Sequence, residues 1–330
     1  MPTNENPVVL DVALVPAELA GNATPPETTA YIVVDVIRAT TTLSVLFDRG
    51  CKEVLLAATL DEARRVTASM RTAASLTNDA GLATPEQSAV LLAGELDGLA
   101  PPGFDFGNSP AEFITLDLHG RRLVFCTTNG TPALRSCAGG RAVFAGCFRN
   151  ARAVASAALA ALKGIAVAPS GSQPEPAPSG SEAAQPFVLP DRAPAMDTAS
   201  EHPLVNTEIT ALTAGAVTIV CAGRAQRVAI DDTVCAGFLI ATLQHLIAAR
   251  GSQSVLREGA RIALQLYQHA PSITDILWHT EAGRAVIAVG LESDLALCAA
   301  VDTSASVPAL SGYDPDSGLP IIRALGSAHN

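Results

Sequence analysis

The chain has 330 residues, 48% of them apolar and only 4% aromatic, with a formal net charge of −11. That length allows one large domain or two smaller ones, with a substantial core built on Ala, Val, Leu and Ile. The acidic balance excludes nucleic acid as the main partner, because neutralising a phosphate backbone takes clustered Lys and Arg.

In chain order, Met1 to Asn6 lack a basic stretch leading into an apolar core, so no signal peptide is expected. No run of about 20 apolar residues offers to span a bilayer, and the reading is a cytoplasmic protein without a membrane partner. Val8 to Leu14 reads as a strand, followed by turn residues through Pro25-Pro26. Tyr31 to Ile37 is a second strand, and Thr40 to Arg49 a helix stopped by Gly50. A strand over Glu53 to Ala58 precedes a helix over Asp61 to Met70, with Asp61 as N-cap. Val90 to Ala93 is a strand entering Gly94-Glu95, and Pro101 to Pro110 is a loop. Arg122 to Cys126 is a strand that runs into Thr127-Thr128-Asn129-Gly130-Thr131-Pro132, where Pro132 suits the first turn of a short helix. Arg141 to Ala145 and Asn150 to Leu162 make a further strand and helix.

Ala168 to Pro203 breaks this rhythm with a Pro/Ser-rich tract that cannot bury enough apolar surface to order itself. Order resumes with a strand over Ala216 to Cys221, a long helix over Asp231 to Ala249 and another over Arg257 to Tyr267. Two short strands are predicted around Ala285 to Val289 and Leu297 to Ala300, and the last fifteen residues show little pattern. The alternation predicts an α/β fold, a layered α/β/α arrangement with a mostly parallel or mixed sheet. Residues 1–167 and 206–330 would be two parts completing one site, separated by an insert over 168–205.

Four polar segments each follow an apolar strand: Asp35-x-x-Arg38, Gly94-Glu95, Thr127 to Thr131, and Ala222-Gly223-Arg224. Ligands of open α/β sheets bind at the carboxyl ends of strands, and a helix N-terminus offers N–H groups to an anion. Asp35 and Glu95 are candidate carboxylates for Mg²⁺, which takes one or two such groups along with waters and substrate oxygens. Arg38 can clamp an oxyanion, and Thr40 and Thr41 can cap a helix or touch phosphate. Of Asp231 and Asp232, one is read as a helix cap and the other as free for metal or a proton. Thr128, Asn129, Gly130 and Thr131 resemble an anion cradle, though ordinary turn chemistry gives the same pattern. Gly107-Asn108-Ser109-Pro110 either presents amide and hydroxyl groups to a ligand or forms a structural loop, with Phe104 and Phe106 anchoring it. The seven cysteines are odd in number and form no C-x-x-C pair, which points to reduced, mostly buried thiols. The six histidines show no metal spacing, and neither a Walker loop nor a G-x-S-x-G elbow is present.

Taken together, Val34-Asp35-Val36-Ile37-Arg38-Ala39-Thr40-Thr41-Thr42, Gly94-Glu95, Gly103 to Pro110, Thr127 to Thr131, Cys221-Ala222-Gly223 and Asp231 to Gly237 resemble the 2-phosphosulfolactate phosphatase family in order and spacing. The departures are the Pro/Ser-rich insert and Asp231, where the family pattern has Glu. The resemblance implies a Mg²⁺-dependent hydrolysis of 2-phospho-3-sulfolactate, or a related phosphorylated hydroxy acid, as in coenzyme M biosynthesis. On that basis Asp35, Glu95 and Asp232 would hold Mg²⁺. Arg38 and Arg224 would bind anionic groups together with the Thr128 to Thr131 turn, and Asn108 and Asn129 would position ligand oxygens. Asp35 as a covalent nucleophile is the alternative route. The rival functions are a non-hydrolytic anion-binding or regulatory module and a phosphotransferase. The partner is a small phosphate ester, and a homodimer is the default assembly.

Overall fold

β-Branched and aliphatic runs bounded by Gly, Pro and polar residues form the strands, and Ala- and Leu-rich stretches between them form the helices. The computed structural model describes residues 7–21, 24–77, 89–162 and 215–326. The predicted insert at 168–205, with His202, lies outside the described residues, as do Met1 to Asn6 and His329. The first half comprises β1 (Val8–Ala13), β2 (Thr29–Val34), α1 (Ala39–Asp48), β3 (Glu53–Leu56), α2 (Leu60–Thr77), β4 (Val90–Gly94), α3 (Pro110–Phe113), β5 (Arg122–Cys126), α4 (Gly130–Ser136), β6 (Ala142–Gly146) and α5 (Ala151–Leu162). The second comprises β7 (Ala216–Cys221), α6 (Ile230–Ala248), β8 (Ser254–Leu256), α7 (Glu258–Gln268), α8 (Ile273–His279), α9 (Glu281–Ala288), α10 (Ser293–Ala299), β9 (Pro308–Tyr313) and β10 (Pro320–Ala324).

The ten strands of the described residues join one mixed sheet in the order β4-β5-β3-β10-β9-β6-β2-β7-β1-β8. β7 lies between β1 and β2, parallel to both, so strands from either side of residues 163–214 interleave. The antiparallel β9–β10 hairpin sits mid-sheet, antiparallel to β3 on one side and to β6 on the other. Traced through these pairings, the parallel blocks β4-β5-β3 and β6-β2-β7-β1-β8 run in opposite senses. A flat sheet would then place their carboxyl ends on opposite edges. Strand twist of roughly 20–25° per step accumulates across so many strands and curls the sheet. One core cluster accordingly joins Val54, Leu91 and Phe125 of one block to Val33, Val143 and Val220 of the other, with Leu43 and Leu46 of α1 among them. The alternate β2 residues Ile32 and Val34 point the other way, onto Val154 of α5 and Phe238 and Leu239 of α6. α2 covers the outer face of β3, β4 and β5 through Ala63.

Several sequence expectations change. The segments read as strands near residues 285 and 297 are the helices α9 and α10. A short apolar run does not reveal its period, and Thr280, whose Oγ1 accepts the Gly283 N–H at 3.0 Å, starts α9 as a helix. The nearly patternless C-terminus holds β9 and β10, joined by a turn in which Gly318 N donates to Asp314 O at 2.8 Å. β8 and α8 have no counterpart among the predicted elements. Thr59, not Asp61, caps α2: its Oγ1 accepts the Glu62 N–H at 3.1 Å, and Asp61 pairs with Arg64 inside the first turn. α6 has the length and mean hydropathy of a membrane span, but 72% of that window is buried within the fold. It is a core helix here.

Glu53, nearly buried on β3, ties the sheet's centre together. It receives Arg122 from β5 on Oε1 and Arg323 from β10 on Oε2, and Arg122 also reaches Asp314 at 2.8 Å. Burial alone would raise its carboxyl, but the bonds from Arg323 and Arg122 outweigh that and hold it below the usual range.

Candidate active site

The loop after β2 is fixed by the threonines that follow it. Thr40 Oγ1 donates to Asp35 O at 2.9 Å and accepts from Asp35 N at 3.1 Å, while Thr41 Oγ1 donates to Val36 O at 2.8 Å. These hydroxyls hold the turn into α1, whose first N–H, from Ala39, bonds Asp35 Oδ1 at 3.2 Å. Asp35 Oδ2 has no hydrogen-bond partner among the described residues, and the residue lines a cavity of about 650 Å³. The Ile37–Arg38 peptide is cis, and the Arg38 guanidinium is buried beside the cavity.

The loops after β4, β5 and β7 close round the same space. Glu95 Oε1 accepts both the Thr128 N–H, at 3.1 Å, and its hydroxyl, while Oε2 accepts Gly98 N at 3.0 Å. Asn129 Oδ1 accepts Ala225 N at 3.3 Å, which joins the β5 loop to the β7 loop. In the β7 loop, Ala225 and Gln226 form a two-residue turn between Arg224 and Arg227, both with positive φ (49° and 61°). Non-glycine residues seldom adopt that conformation, and it occurs here at the cavity mouth. α9 supplies an apolar wall with Ala282, Ala285 and Val286.

Asp231 and Asp232 begin α6 and have separate roles. Both Asp232 oxygens accept backbone N–H groups at 2.9 Å, Oδ1 from Val36 and Oδ2 from Gly223, so this carboxylate staples the β2 and β7 loops together. Asp231 lines the cavity. Neither is the N-cap residue, which is Ala229. Asp232, the residue favoured from sequence for a cation, lines the cavity as well, with one N–H on each of its oxygens. Burial pushes the Asp35 carboxyl up to about 7, with Glu95 and Asp231 adding to the rise. Burial likewise lifts Asp231 to about 6 and raises Asp232, which Asp231 and Asp35 raise further.

Five carboxylates (Asp35, Glu95, Asp97, Asp231 and Asp232) line this cavity against two arginines, Arg38 and Arg224. Such a surface repels a multiply charged anion unless a cation intervenes. Among the described residues, no three His, Cys, Asp or Glu side chains are grouped so that they could hold a metal ion together. The donors are hard carboxylate oxygens, and this fits a cation that takes one or two of them and completes its shell with water and ligand oxygens.

Of the residues singled out in the sequence, the cavity gathers Asp35, Arg38, Glu95, Asn108, Thr128, Asn129, Arg224 and Asp232. Thr40, Thr41 and Thr131 are fully buried behind its wall and bond backbone instead; Thr131 Oγ1 donates to Thr127 O at 2.9 Å. Gly130 also lies behind the wall. Phe106 packs tilted on Phe113, with centroids 5.1 Å apart, and anchors the Asn108 loop as expected. Sequence reasoning missed Asp294 on α10, whose Oδ2 takes Arg38 Nη1 at 2.8 Å, and the α9 wall. Recognising α9 and α10 as helices would have been the route to both.

Gly130 is required by close approach, not by φ. A Cβ there would stand 2.5 Å from Ala39 Cβ and 2.7 Å from Asp35 Oδ2. Gly130→Ala should push Asp35 away from the cavity and cut turnover about tenfold or more. Steady-state kinetics checks this, and unchanged rates would show that the Asp35 carboxylate tolerates displacement.

The family model described as "2-phosphosulpholactate phosphatase" matches residues 14–178 and 202–312, passing over part of the Pro/Ser-rich tract. A protein of Deinococcus radiodurans named "Probable 2-phosphosulfolactate phosphatase" is 32% identical over 289 residues, 87% of this chain and 90% of its own length. A Thermus thermophilus protein of the same name is 31% identical over 281 residues, covering 85% and 87%. One from Pseudothermotoga lettingae is 24% identical over 279 residues, covering 84% and 87%.

Proposed function

The chain belongs to the 2-phosphosulpholactate phosphatase family, and from that premise we propose that it hydrolyses 2-phospho-3-sulfolactate, or a related phosphorylated hydroxy acid, in a reaction that requires Mg²⁺. The reaction class is that of a phosphoric monoester hydrolase. The observation that carries the reading is the convergence of Asp35, with its free Oδ2, and the loops after β4, β5 and β7 on one cavity of net negative lining. Seven free cysteines, all buried, support a reducing, cytoplasmic setting. A role in coenzyme M biosynthesis belongs to the same proposal.

Asp35 and Asp231 would hold the cation, and Glu95 and Asp232, whose oxygens already accept hydrogen bonds, would meet it through water. When bound, Mg²⁺ supplies charge neutralisation at the ester oxygens and polarises the phosphoryl group. The remaining work falls to the chain. Arg38 and Arg224 bind the anionic groups, Arg38 from a fixed position and Arg224 from the exposed rim. Asn108 and Asn129 set the orientation of ligand oxygens. Val286 and its α9 neighbours exclude water from one side.

The test is phosphate release from 2-phospho-3-sulfolactate, 2-phospholactate and 3-phosphoglycerate, with Mg²⁺ and with EDTA. The sulfonated ester should be hydrolysed fastest, and EDTA should slow release about a hundredfold or more until Mg²⁺ is restored. EDTA-insensitive release would remove the metal from the scheme. Product formation only with an added acceptor would make the protein a transferase.

A further inference from the structure

Asp294 is fully buried and does not line the cavity, yet each of its oxygens ends on a group that leads there. Oδ2 accepts Arg38 Nη1 at 2.8 Å; Oδ1 accepts Ser109 Oγ at 2.6 Å and Ala111 N at 3.2 Å. Arg38, 3% exposed, is held on its other side by Gly98 O through Nη2. Asn108, next to Ser109, is 4% exposed and lines the cavity, and its buried Oδ1 has no partner. Two ligand-facing groups, well separated along the chain, thus depend on a single carboxylate contributed by the C-terminal helices. An arginine stem left free would sample many rotamers and lose them only on binding. Here both ends of its fork are set in advance, and the balancing charge keeps the cation stable in a buried position.

We propose that Asp294 is the positioning residue of the anion-binding half of the site: it fixes Arg38 and, through Ser109, the Asn108 loop in the arrangement that receives a phosphate ester. The identity of the ester rests on the phosphatase reading above; the arrangement itself does not. Asp294 has no contact with the ligand and acts only through the groups it holds.

The test is a double-mutant cycle with Asp294→Asn and Arg38→Met, read by turnover and by a measurement that needs none. With Arg38 in place, Asp294→Asn should lower kcat/KM about a hundredfold, chiefly through KM, because the arginine grips the anion before reaction as well as during it. Introduced into the Arg38→Met variant, the same change should alter kcat/KM less than about threefold, since the amide keeps an Oδ1 that accepts Ser109 and Ala111 and loses only the bond to the arginine. Inorganic phosphate should raise the melting temperature of the wild type and not that of Asp294→Asn. Equal losses in both backgrounds, or an unchanged KM and phosphate response, would overturn the proposal and leave Asp294 as fold support. If Asp294→Asn does not fold, Ser109→Ala removes one of its bonds alone and should lower kcat/KM about tenfold; no change would again count against it. Should the wild type release no phosphate while inorganic phosphate still stabilises it through Asp294, the phosphatase reading fails and the positioning role stands.

Discussion

Asp35→Asn should give a folded protein that is inactive and, without divalent cations at pH 8, more stable than the wild type. The activity loss, about a thousandfold or more, follows from removing a cavity carboxylate at the turn into α1, whether it holds the metal or attacks phosphorus. The gain in stability follows from electrostatics. Asp35 titrates near 7 in the fold, well above its ordinary value, because burial and two neighbouring carboxylates disfavour its charge. A carboxyl raised in this way favours the folded state while protonated, and that contribution is lost as pH rises from about 4 through 7. Ionising it at pH 8 costs on the order of 2–4 kcal/mol, which the neutral amide avoids while its Oδ1 still accepts the Ala39 N–H. Urea unfolding at pH 5 and pH 8, beside phosphate release, checks both halves. Near-wild-type turnover would rule out either role for Asp35, and a variant less stable than wild type at pH 8 would contradict the charge argument.

Glu53→Gln should be the most damaging change away from the cavity. The carboxylate receives Arg122 and Arg323 at once, and an amide can satisfy only one of them as an acceptor. Breaking a buried pair costs about 3–5 kcal/mol, and because the arginines are 29% and 26% exposed, about 2–3 kcal/mol is the expected loss. The sign with pH opposes that for Asp35. A carboxyl held low stabilises the fold above its unfolded value and loses that contribution as pH falls through its folded one. The gap between variant and wild type should therefore be full at pH 7 and shrink below about pH 4. A gap of the same size at both pH values would mean that packing, not charge, is lost.

The legible part of the fold was where period and punctuation agreed. The runs Arg122 to Cys126 and Ala216 to Cys221 are strands at the very residues read from sequence, because each is a largely β-branched or aliphatic run bounded within two residues by Gly or polar residues. The C-terminal third was not legible in the same way. Residues 285–289 form an apolar run too short to show a helical period, and only the Thr280 cap distinguishes it. The β9–β10 hairpin does carry a signal: Asp314-Pro315-Asp316-Ser317-Gly318 is turn chemistry between two short apolar stretches. At the site, the residue types were legible and their duties were not. Thr40, Thr41 and Thr131 look like phosphate contacts in a string of letters, but each hydroxyl is taken by a carbonyl within five residues. Asp231 and Asp232 are indistinguishable by adjacency, and only the arrival of Val36 and Gly223 decides which is engaged. Asp294 could not be paired with Arg38 from spacing, since they are separated by 256 positions.

The position of β9 and β10 has a consequence for how the protein is made. Of the described strands these are the last in chain order to leave the ribosome, yet they sit in the middle of the sheet, between β3 and β6. Until they arrive, the two blocks synthesised earlier share no ladder, and their unpaired strand edges are open to wrong partners. β7 must likewise insert between β1 and β2 long after both have emerged. Pairings so distant along the chain make for slow closure. A nascent polypeptide halted before residue 308 should therefore need chaperone shelter, however sound its individual helices are.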